Sequence, residues 1–199
     1  AGNKKWTFPS WNARLEVDNL FPFAYYGASR YGALSGYQTD FPLPPQEPPA
    51  RMVLVPKTQK TPRIIAEEPT CMQFMQQGIK NSLVPAIERD LLVGPLIGFR
   101  DQEPNRLMAY RGSLDGSLAT IDLSEASDRV SNELVIQATR HWAVFSEAVQ
   151  ATRTRRIALP TGRVLRVSKF AAMGSALCFP MEAMVFLTIV LYGIEEAVG

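Results

Sequence analysis

The chain has 199 residues, 46% of them hydrophobic and 20% charged, enough to bury a sizeable core as one or two domains. A net charge of +2 excludes the broad basic field of a free-standing nucleic-acid binder, so contact with a polyanion must come from local clusters. Cys71, Cys178 and the single histidine, His141, form no ligand-like grouping, which points to a reducing compartment and away from a zinc site.

Residues 1–50 are rich in aromatics and prolines, and Phe41-Pro42-Leu43-Pro44-Pro45 with Pro48-Pro49 reads as an extended linker. They show no charged-then-apolar leader, so no secretory signal is expected. Val55 to Pro69 then carries Lys57, Lys60 and Arg63 at spacings of three, with Pro56 and Pro62 excluding an ordinary helix interior. Such an extended, proline-stiffened segment suits a triphosphate, Arg bringing a planar fork and Lys a point charge. A solvated surface loop is the other reading of that charge run.

From Thr70 to Leu92, apolar residues at Met72, Met75, Ile79, Leu83, Ile87 and Leu91 predict an amphipathic helix that Pro85 kinks or divides. Ala119 to Asp128 is a β-prone run ending in Asp122, with Asp128 six positions on. A strand that delivers a carboxylate to a cleft edge can hold a divalent metal against a phosphate. Capping of the next helix is the alternative for these acids. Leu134, Ala138, Trp142, Phe145 and Val149 predict one further helix, containing His141 and capped by either Ser124 or Ser131. No role is assigned to His141. Arg156 to Val167 around Pro160-Thr161-Gly162 signals a hairpin with one basic face, suited to RNA contact or to edge protection. Arg153, Arg155, Arg156, Arg163, Arg166 and Lys169 form the second basic cluster. Gly174-Ser175 then opens a long apolar helix reaching about Tyr192, whose Ala183–Tyr192 stretch is too short for a membrane span and is read as buried. The glycine permits close approach, and the serine can donate to or accept from a sugar hydroxyl.

In this order the three segments resemble motifs F, A and B of viral RNA-dependent RNA polymerases, most closely the replicase beta subunits of levivirus-like positive-strand RNA bacteriophages. The patterns are V-P-K-x-x-K-T-x-R-x-I-A-x-E-P, A-T-x-D-L-S-x-A-S-D and Met173-Gly174-Ser175, with Phe170-Ala171-Ala172 standing just before the last. The resemblance spans about Val53 to Phe186. It implies an α+β right-hand polymerase, part of the fingers plus part of the palm, with an antiparallel palm sheet and flanking helices. Residues 1–52 would be an N-terminal fingers or linker segment, 53–117 the fingers with motif F, and 118–199 a partial palm that includes the 156–167 hairpin.

The implied activity is template-directed RNA synthesis from NTPs, by two-metal nucleotidyl transfer, in replication of a viral RNA genome. Asp122 would be the catalytic metal ligand, joined by the backbone carbonyl of Leu123. Lys57, Lys60 and Arg63 would neutralise the triphosphate, while Asp128 with Gly174 and Ser175 would receive the ribose and its 2′-hydroxyl. The resemblance brings two Mg²⁺ ions, with Mn²⁺ as a substitute. Its partners are RNA template and product, NTPs, and host translation elongation factors with a ribosomal protein. The place is the cytoplasm of a bacterial host, without a membrane. Family members add a Gly-Asp-Asp hairpin, motif C, after motif B. This sequence contains none, so the expectation is a fragment inactive alone. The alternatives are a reverse transcriptase, in which a bulky aromatic replaces Asp128, and a non-catalytic RNA-binding palm relic. Intact Asp122, Asp128, Lys57 and Arg63 weigh against the relic.

Overall fold

The computed structural model describes residues 48–57 and 62–199. Lys60 and the aromatic segment through Glu47 lie outside the described residues. Strands β1 (Ala50–Pro56) and β2 (Pro62–Glu67) pair antiparallel, in a ladder running from Arg51↔Glu67 to Pro56↔Pro62. The prolines stand where the ladder ends, the place in a sheet where a missing N–H costs least. Strands β3 (Arg156–Ala158) and β4 (Val164–Arg166) form the hairpin expected around Pro160-Thr161-Gly162, with Gly162 at φ 83°.

The two hairpins make one sheet, ordered β2-β1-β3-β4, because β1 pairs parallel with β3 through Ala50↔Ile157 and Arg51↔Ala158. The sheet is therefore mixed, not antiparallel as expected. Parallel neighbours need a long crossover, and the helices between residues 70 and 152 supply it.

Helix α1 (Thr70–Arg89) passes through Pro85 without dividing and stops three residues short of the expected end. Leu91 is 96% exposed, because Asp90 turns the chain by accepting the amides of Leu92 and Val93. Met72 and Ile87 of the predicted face are buried, with Val84 beside them. Helix α2 (Glu103–Asp115), which the hydrophobic pattern does not announce, buries no residue and ends on Gly116 at φ 69°.

No strand forms before Asp122: residues 117–123 are irregular and exposed. A β-prone run needs a ladder partner for its amides and carbonyls, and none of the four described strands lies beside this one.

The expected single helix after the acids is three: α3 (Ala126–Arg129), α4 (Asn132–Thr139) and α5 (Ala143–Thr152). Ser131 is the cap of α4, its Oγ accepting from Leu134 N at 3.1 Å. The break at residues 140–142 leaves His141 and Trp142 exposed; of the predicted stripe Val149 is buried and Phe145 packs against the core, while Val135, Thr139 and Ala148 supply the rest of the buried face. Thr139 Oγ1 bonds Ser146 Oγ at 2.9 Å and ties the two helices across the break.

The core gathers Val130, Val135, Val149, Phe170, Leu177 and Met181, with Ile79 and Leu83 of α1 packed against it. Ala50, Ala66 and Ala172 make a second small cluster where the sheet meets the segment before α6 (Cys178–Val198). The core buries only the first turns of α6, at Cys178, Pro180, Met181 and Val185; Ile189 to Val198 is exposed, against the expectation of a buried helix. By length and composition alone α6 could cross a membrane, but its first turns belong to the protein core.

Candidate nucleotide site

The turn from Met173 to Leu177 is held on two sides. On one, Ala66 of β2 donates its N–H to Met173 O at 2.8 Å. Gly174 sits at φ 118°, and a Cβ there would stand 2.0 Å from the Ala66 carbonyl oxygen. Only glycine fits that backbone contact. The close approach anticipated at this glycine is therefore made to strand β2, the strand that carries Arg63 opposite Val55.

On the other side stands Gln76, 1% exposed on the inner face of α1. Its Oε1 accepts from Ser175 Oγ at 3.0 Å and from Ala176 N at 3.1 Å, while Nε2 donates to Thr152 O at 2.9 Å. Gln76 also bonds the carboxyl of Glu68, to which Thr154 Oγ1 donates. Burial pushes Glu68 up from 4.5 to about 7, against the lowering effect of Thr154, Gln76 and the Arg153 charge. Sequence reasoning missed Gln76 and Glu68, although Gln76 falls four after Met72 and three before Ile79, on the apolar stripe itself.

Arg153 is not part of a solvent-facing basic cluster. It is 8% exposed, and its guanidinium donates to the carbonyls of Phe170, Val167 and Lys169, each at 2.7 Å. These bonds brace the strand-like segment that leads to Gly174. Burial, assisted by the charge of Arg155, holds its pKa down to about 10.

Asp128 lies in α3, half exposed, and its carboxylate pairs with Lys169 Nζ. Lys169 is thereby spoken for by an acid rather than standing free. Glu182, at the start of α6, is raised by burial and by the nearby Asp128 charge. Asp122 and Leu123 are exposed in the irregular stretch before α3, and Lys57 is exposed at the end of β1. The structure thus brings Gly174 onto β2 at Ala66, Ser175 onto Gln76 of α1, and Asp128 onto Lys169. Among the described residues no group of three His, Cys, Asp or Glu side chains could hold a metal ion. Asp122 and Leu123 offer hard oxygens, part of the set that a divalent ion of the Mg²⁺ type takes.

The family model of the RNA replicase beta-chain matches residues 41–193, a stretch that contains all three motif segments. The chain belongs to the RNA replicase beta-chain family. Its relatives include the RNA-directed RNA polymerase subunit beta of Enterobacteria phage SP, 39% identical over 140 residues, 70% of this chain and 23% of that one. The Qbeta virus (strain MX1) subunit is 37% identical over 137 residues, 68% of this chain and 22% of its own. The beta chain of Escherichia phage MS2 is 35% identical over 139 residues, 68% and 24%. This replicase-family chain therefore spans under a quarter of the length of the curated relatives it matches. Membership agrees with the resemblance read from its motifs.

Proposed function

We propose that these residues form the nucleotide-handling part of an RNA-directed RNA polymerase that copies a phage RNA genome from NTPs in the bacterial cytoplasm. The observation that carries this is the seating of Met173 and Gly174 on β2, the strand that also holds Arg63, with the Ser175 hydroxyl following directly in a replicase-family chain. Lys57, Lys60 and Arg63 neutralise the triphosphate. Asp128, held by Lys169, and Ser175 take the ribose hydroxyls. Asp122 with the Leu123 carbonyl gives part of a Mg²⁺ site that Mn²⁺ also fits, the remaining oxygens coming from outside the described residues and from the NTP. When bound, that metal supplies Lewis-acid stabilisation of phosphoryl transfer. RNA template and product are the partners, with host elongation factors and a ribosomal protein as auxiliary ones.

The test is Asp122→Asn in a replicase subunit that carries these residues. Asp122 is exposed in an irregular stretch, so the fold, read by circular dichroism, is expected unchanged while nucleotide incorporation disappears. Substantial Mg²⁺-dependent synthesis by that variant would overturn the assignment.

A further inference from the structure

Gln76 uses every hydrogen-bonding position that its amide has. Oε1 takes two donors from the turn, Ser175 Oγ and Ala176 N, and the amide nitrogen faces Thr152 O and the Glu68 carboxyl. The amide cannot be reversed without setting its NH₂ against the Ala176 N–H. The proton of Ser175 Oγ is therefore committed to Gln76. The same Oγ already accepts from Leu177 N at 3.3 Å, which leaves one lone pair for a ligand.

We propose that Gln76 is the positioning residue of the Ser175 hydroxyl and makes it acceptor-only, so that Ser175 admits a nucleotide only if a sugar hydroxyl donates to it. The inference rests on the reading of Ser175 as a ribose contact. The Asp128 carboxylate likewise only accepts. Between them the two side chains call for two donors, which the 2′- and 3′-hydroxyls of a ribose supply and a deoxyribose does not. Ribonucleotide preference then follows from a count of protons, and one of the two acceptors is set from α1 rather than by the turn itself.

The test uses a replicase subunit that carries these residues. It measures single-nucleotide incorporation with NTP, 2′-fluoro-NTP and 3′-deoxy-NTP, each analogue having lost one donor. The wild-type protein is expected to prefer NTP over both; use of both analogues as well as NTP would overturn the acceptor assignment with no variant needed. Ser175→Ala should narrow one of the two preferences by about tenfold, and Gln76→Met should narrow the same one by a similar factor. Gln76→Glu keeps an acceptor for Ser175 Oγ and should restore that preference. If Gln76→Met lowers all three substrates alike while Ser175→Ala narrows one ratio, Gln76 is merely structural and the inference fails. If Ser175→Ala narrows neither ratio, the ribose reading of Ser175 fails on its own account and takes this inference with it.

Discussion

Glu68→Gln isolates a carboxyl that is buried at a cost. Burial raises the Glu68 carboxyl from 4.5 to about 7, a shift worth about 3 kcal/mol at roughly 1.4 kcal/mol per unit. Because the folded pKa is the higher one, the folded protein holds a proton that the unfolded chain gives up between these two values. Stability from this group is fully present below 4.5 and is lost as pH rises through 7. Glutamine has the shape of the neutral acid and cannot ionise. The two proteins should therefore melt alike near pH 4.5, and the variant should gain progressively to about 3 kcal/mol at pH 8, or about 6–12 °C for a chain of this size. Thermal unfolding by circular dichroism across that range reads the difference, in which carboxylates common to both proteins cancel. Parallel melting curves would refute the reasoning. A wild type that gains on the variant with rising pH would show that attraction to Arg153 outweighs burial.

Gly174→Ala should destabilise by at least about 2 kcal/mol in urea unfolding, since a Cβ at φ 118° meets the Ala66 carbonyl; a change under about 0.5 kcal/mol would mean that the turn is not seated on β2. Ser131→Ala should cost about 1 kcal/mol through loss of the α4 cap, while Ser124→Ala should stay within about 0.5 kcal/mol. An equal effect of the two would return the cap to ambiguity.

Helix α1 and the β3–β4 hairpin were legible because local signals decide them: a three-and-four apolar spacing in one, Pro-Thr-Gly between β-prone runs in the other. The break between α4 and α5 was not. No proline or glycine marks residues 132–152, and the predicted stripe suits a continuous helix; burial of Val135 and Thr139 against the rest of the core turns the chain instead. The run before Asp122 has strand-like composition, but composition cannot supply a partner strand. Arg153 sits in Arg-Thr-Arg-Arg beside residues of the same charge, and only tertiary carbonyls single it out. Gly174 was readable as a glycine with a purpose, though not the purpose of meeting Ala66. Gln76 was hidden by its neighbours, since a polar residue among methionines passes for the edge of an amphipathic face.

The sheet has a consequence for the order of folding. Each hairpin closes over a few residues and can form as soon as its own segment exists. The seam between them is two residue pairs long and joins positions on the order of a hundred residues apart. Closing such a loop costs chain entropy that grows as (3/2)RT ln n, about 4 kcal/mol at that length, which so short a seam offsets poorly. The helices between must therefore collapse first and deliver β3 to β1, so that the Arg63 strand meets the Gly174 turn only in the last step of assembly. A lesion at Ala50 or Ile157 would leave both hairpins formed yet keep that step from completing, giving a protein with its secondary structure intact and its nucleotide site never put together.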